Sequence, residues 1–141
     1  MSYTWSTGAA AVLAHVDEGW AGVWSLLFAA TKATFRLSLQ VPPAAGGELA
    51  YVAMDVCEAR DEVGWAHAEV ATTSLAVDLG PTGLGDDMAG TCSAIVALLD
   101  GALDRLRGLQ AAAVDSREGD WTGRVITKAS AAREALARVR P

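Results

Sequence analysis

Apolar and polar positions along this chain repeat with a helical period, most regularly between Met88 and Ala113. There the apolar or small residues are Met88, Cys92, Ile95, Leu99, Ala102, Leu106, Leu109 and Ala113. Alternating steps of three and four keep them on one side of a helix, and that side needs a partner to bury it. Residues 48–79 repeat the pattern through Leu49, Val52, Val56, Ala59, Val63, Ala66, Val70, Thr73 and Val77. The N-terminal third does so through Ala9, Leu13, Val16, Trp20, Val23, Leu27, Ala30, Thr34, Leu37 and Val41. A second stripe of Trp24, Phe28, Phe35 and Leu39 lies beside it. A helix this apolar is either central or covered by another subunit. The last stretch sets Trp121, Val125, Ala129, Ala132, Leu136 and Val139 against an exposed side with Arg124, Lys128, Arg133, Arg138 and Arg140.

Breakers and caps divide these stripes into four predicted helices, at about 7–41, 48–79, 86–114 and 120–139. Ser6 or Thr7 can cap the first, Asp86 or Asp87 the third and Asp120 the fourth, each offering a side-chain oxygen to free amides. Pro42-Pro43 with Gly46-Gly47, the turn from Gly80 to Gly85, and the polar run from Asp115 to Gly119 separate them. Gly19 and Gly22 weaken the first helix, since each costs about 1 kcal/mol against Ala. A break near Gly19, with Asp17 capping a new segment, is the alternative there. Val70 to Val77 also reads as a strand, but the longer helical period favours a helix. Four helices joined by short turns predict an all-α, up-down-up-down antiparallel four-helix bundle, a single domain spanning 1–141.

Composition agrees with closely packed helices. Apolar residues make up 52 %, chiefly Ala, Leu and Val, while aromatics make up only 6 % and five of these are Trp. A formal charge of −6 argues against a general nucleic-acid binder. The charge is uneven: residues 48–79 carry −6 and residues 116–141 carry +3. That division suits complementarity between helices or subunits. The longest strongly apolar span, Gly19 to Thr31, is shorter than the roughly 20 residues a membrane crossing needs. With no secretory signal evident, a soluble cytoplasmic protein is expected.

Candidate chemistry follows from the register of the predicted helices. With the first turn centred near residue 44, Trp24 lies level with Trp65, Trp20 with Glu69, and Gly22 with His67. Trp20, Trp24, Phe28, Trp65 and His67 are therefore expected to gather around mid-bundle. They either fill space among small residues or line an apolar pocket with His67 as a polar anchor. The expected function is binding of an apolar small molecule or an amphipathic partner helix there. One alternative is a small cofactor-free enzyme acting on an apolar substrate, with His67, Glu62 and Glu69 as acid–base candidates and His15 as an outlier. The other is a homodimeric scaffold, paired through the first helix or the flat strip of Ala94, Gly101 and Gly108. That strip equally suits close approach of a neighbouring helix within the bundle.

Other chemistries lack their residues. No cofactor motif is present: Gly80 to Gly85 lacks the Gly-Lys-Ser/Thr ending of a phosphate loop, and no Gly-x-Ser-x-Gly elbow occurs. No metal is expected, since the carboxylates of residues 48–79 lack the Glu-x-x-His pairs of di-iron bundles and His15 stands about 10 Å along the axis from His67. Asp55 and Glu58 are expected to pair instead with Arg36 and Lys32. Cys57 and Cys92 fall roughly 25 Å apart along the axis, too far for a disulfide.

Overall fold

The computed structural model describes residues 4–83 and 85–139. Arg140, expected on the exposed side of the last helix, and Leu84, within the Gly80 to Gly85 turn, lie outside the described residues. The chain is helical, with α1 (Trp5–His15), α2 (Trp20–Ser38), α3 (Pro43–Ala66), the short α4 (Val70–Thr73), α5 (Met88–Ala111) and α6 (Ser116–Ala137). No strand occurs among the described residues.

The first predicted helix is two helices, and the alternative break is the one observed. Asp17 Oδ1 accepts the amides of Gly19, at 2.9 Å, and Gly22, at 2.8 Å, so its carboxylate caps the start of α2. Gly22 is required there, because a Cβ would overlap the Asp17 carbonyl oxygen. Other boundaries shift too, most at the start of α3. It begins at Pro43 instead of about residue 48, because proline suits a first helical position, and Gly46 and Gly47, expected in the break, lie within the helix. Thr4, rather than Ser6 or Thr7, caps α1, accepting the Thr7 amide. Asp87 caps α5 as expected, and Asp115 replaces Asp120 as the cap of α6. The run from Ser116 to Gly119 is thus the first turn of a helix.

The larger departure is at residues 67–87. The second predicted helix stops at Ala66, with His67 at φ −131° and ψ 73° leaving the helical path. Thr72 and Thr73 then turn their hydroxyls onto the Glu69 carbonyl, each at 2.9 Å. The Thr-Thr-Ser run has low helix propensity and the backbone turns extended at Ser74, ψ 157°, so the valine period runs on where the helix does not. The chain instead runs back along the molecule. Asp78 pairs with Arg36 at 2.7 Å, Gly80 accepts the Trp5 indole N–H at 3.1 Å, and Thr82 meets Gln40 at 3.4 Å. Along α6, Gly119 meets Gln110 and Arg133 meets Asp100, while Trp121 meets His67 and Lys128 meets Glu58. Both α5 and α3 therefore run opposite to α6 and parallel to each other. The crossover replaces a tight turn, and strict alternation of direction fails for that reason.

Packing follows the stripes. α2 lies on α3 and α5, α6 lies on α3 and α5, and α1 covers α5. Leu49, Val52, Val56, Ala59 and Val63 of α3 face inward, as do Cys92, Ile95, Leu99, Ala102 and Leu106 of α5. Val125, Ala129, Ala132 and Leu136 close the core from α6. Trp5 is wholly buried. Its backbone N–H donates to Asp86 Oδ1 at 3.0 Å, so one side chain and one amide tie α1 to the far end of the crossover. The second stripe of α2 is not covered: Phe35 and Leu39 are exposed. At Gly101 the Leu13 side chain occupies the space a Cβ would need, which is the close approach expected of a small-residue strip, whereas Gly108 faces open space. No helix among the described residues is long and apolar enough to cross a membrane.

Candidate functional site

The five residues expected to gather divide into three places. Trp20, at the start of α2, stacks on His67 with ring centres 4.7 Å apart and planes 23° apart. Trp24 and Phe28 form a second stack, at 5.2 Å, on the outer side of α2 and α3. Cationic groups of Lys32 and Arg60 each lie 5.6 Å from the Phe28 ring. Trp65 is 79 % exposed and joins neither stack. Its level was as expected, since Gly64 lies beside the Trp24 indole. Axial level leaves the angle around the helix open, and at Trp65 that angle points to solvent.

The third ring at His67 comes from α6. Trp121 lies 5.1 Å from Trp20 and 5.9 Å from His67, centre to centre, the latter edge-on. Three rings on three elements thus meet where α2 and α6 begin and α3 ends. That is the end of the helices, and not their middle, because α3 stops at Ala66. Each ring is half-buried. Edge-to-face and offset pairs of this kind contribute about 0.5–1.5 kcal/mol beyond buried area.

His67 and Trp121 form part of the wall of a solvent-open cleft of about 360 Å³. Ala66, Asp115, Glu118, Arg117 and Arg124 complete its lining, and Trp20 backs the wall through its two ring contacts. Asp115 Oδ1 accepts the Glu118 amide at 2.8 Å, and Glu118 Oε2 lies 3.4 Å from the Val114 amide. The carboxylates thus serve the start of α6, in the manner of a capping box. Arg117 and Arg124 form no ion pair with a described residue and project as free donors. The cleft combines an aromatic wall, its two rings set edge-on, with a charged rim.

The acid–base candidates are spread along α3 and beyond. Glu69 is exposed, with Oε1 3.9 Å from His67 Nδ1. Glu62 lies a turn or more back along α3, where Lys128 Nζ approaches Oε1 at 3.7 Å and Oε2 is buried without a partner. His15 is remote, its Nδ1 on the Ala11 carbonyl at 2.7 Å. The expected ion pairs are exchanged as well. Arg36 binds Asp78 instead of Asp55, and Glu58 meets Lys128 instead of Lys32. The guanidinium of Arg36 holds the Asp78 carboxyl below the usual range. Both cysteines are free thiols, and burial pushes Cys92 upward.

No protein-family model, curated protein or solved structure matches this chain. What the site does is therefore argued from its own chemistry.

Trp121 is the residue the sequence reading missed at this site. It was placed on the inward face of the last helix, which is correct, but not beside His67. The available signal was the third turn, near residue 117. It sets Trp121 at the very end of a helix, level with an α3 terminus that the continuing valine period concealed.

Proposed function

We propose that this protein is a small-molecule binding bundle whose cleft at the α3–α6 end takes a flat, largely apolar ligand. α2, α3, α5 and α6 read as a four-helix bundle with one long crossover, a variant this architecture accommodates. α1 is then an added cover on α5. The observation that carries the reading is the contact of Trp20, His67 and Trp121 around one wall of an open cleft. A volume of about 360 Å³ lies within the usual range for ligand pockets. Indole faces recognise planar molecules, and the indole N–H groups and unpaired guanidinium groups supply donors for a polar edge.

The test is titration with the uncharged planar dye Nile red, read by its own fluorescence. Binding should be saturable in the wild type and in Trp65→Phe, because Trp65 lies outside the cleft. Trp121→Ala should weaken it at least about tenfold, the effect of losing one aromatic wall. Equal binding by Trp121→Ala and the wild type would refute the assignment.

One observation favours a second reading, acid–base chemistry at Glu62, one turn along α3 from the cleft residue Ala66. The sealed Oε2 of Glu62 is a carboxylate oxygen with no partner to satisfy it, as catalytic carboxylates often are. Glu62→Gln would then abolish turnover of a bound ligand without preventing its binding.

A further inference from the structure

We propose a second binding site, between the α1–α2 elbow and the crossover, for an uncharged chain-like molecule ending in one hydroxyl. A polar recess of about 160 Å³ opens there, and an apolar groove of about 300 Å³ runs beside it. Ala11, Val12 and Val77 line the groove alone, while His15, Val16 and Leu75 line both spaces and make them contiguous. A chain along the groove would place its end in the recess.

The recess is chemically unlike the rest of the interior. The buried hydroxyls of Thr31, Thr34, Thr91 and Thr122 each bond a carbonyl of their own helix, at 2.7–3.0 Å. Two serines in the recess do not. Ser25 is 2 % exposed and its hydroxyl bonds no described residue, and Ser74 Oγ is buried without a partner. Buried polar groups in native proteins are nearly always satisfied, so the sealed Ser74 Oγ calls for a partner, and the Ser25 hydroxyl lining the same recess is free to share it. His15 adds a third group. Its Nδ1–H donates to the Ala11 carbonyl, which leaves Nε2 as an acceptor in the neutral ring.

Charge selects the ligand class. Asp17 is among the residues lining the same recess, and its negative charge disfavours an anionic headgroup there. It is already held by the Gly19 and Gly22 amides at the positive end of α2, and Arg105 binds the Asp17 carbonyl at 2.8 Å. These groups offset its pull on a cation. A hydroxyl, both donor and acceptor, fits two serines and an imidazole nitrogen.

Saturation-transfer NMR and calorimetry with octanol, octanoate and octylamine on the full chain test this. Octanol should bind more tightly than either charged analogue. Ser74→Ala should weaken octanol by roughly tenfold, and Ala11→Trp, at an exposed position of α1, should block the groove and abolish binding. In the absence of ligand, Ser74→Ala should melt no lower than the wild type, since its hydroxyl has no partner within the protein. Tighter binding of octanoate or octylamine, unchanged octanol binding in Ser74→Ala, or no binding of any probe would each overturn the proposal.

Discussion

The Trp20 indole lies on the His67 imidazole, ring centres 4.7 Å apart and planes 23° apart. This stack joins the first residue of α2 to the residue that ends α3. It holds the imidazole at the cleft wall, with Trp121 edge-on to it. His67→Ala should therefore leave the core intact but loosen both indoles. The expected result is a red-shifted, more readily quenched Trp emission and about tenfold weaker Nile red binding, with unfolding free energy changed by no more than about 1.5 kcal/mol. Fluorescence quenching, dye titration and urea unfolding of one variant check all three.

Glycines separate by what surrounds them. Gly22→Ala would drive a methyl into the Asp17 carbonyl and open the elbow between α1 and α2. Its expected cost is about 1–3 kcal/mol. Gly108→Ala meets nothing within 4 Å, and should stabilise α5 by roughly 0.5–1 kcal/mol through its better helix propensity. Opposite shifts of the urea midpoint for the two variants are the expected measurement.

Trp5 fastens the crossover. It is wholly buried, and its Nε1–H reaches the Gly80 carbonyl at 3.1 Å. Trp5→Ala should destabilise by about 3–5 kcal/mol. Trp5→Phe should cost less, chiefly through the unpaired carbonyl. Hydrogen exchange should accelerate locally at Gly80 and Gly83 in Trp5→Phe, with the α5 amides still protected.

Asp78 makes the crossover sensitive to acid. Its carboxyl is held below the ordinary range, first by the hydrogen bonds from Arg36 and then by the Gly80 amide and the charges nearby. A depressed pKa contributes stability that is present above the unfolded value, about 3.9, and is lost as pH falls through the lower folded value. At neutral pH, Asp78→Asn should therefore be less stable than the wild type, by at most about 1 kcal/mol for a pair this exposed. The difference should shrink as pH falls below about 4, and urea midpoints at several pH values read it.

Much of this architecture is legible in residue spacing. The stripe of α5 is buried from Cys92 to Leu106, and the α2–α3 register holds to within a residue or two, as Trp24 beside Gly64 and Arg60 over Phe28 demonstrate. Spacing misleads at residues 67–79. Val70 is buried and Val77 half-buried on schedule, but as crossover residues pressed on other helices, and period alone does not distinguish the two. The candidate site suffers twice from this. Ending α3 at Ala66 moves His67 to the end of the bundle, and the angular freedom that level leaves open removes Trp65 from it. Hydroxyl-rich Thr72-Thr73-Ser74 was the local warning, because such residues favour turns over helix interiors.

The most direct test of the cleft is the indole N–H region of a ¹⁵N-labelled sample titrated with naphthol, a flat uncharged probe. Trp5, Trp20, Trp24, Trp65 and Trp121 each contribute a resonance, assignable by substituting them singly. Saturable shifts should appear at Trp20 and Trp121 and be largely absent at Trp5 and Trp65. Shifts confined to Trp65 or to Trp24, or no saturable shift at any indole, would contradict a ligand site at His67.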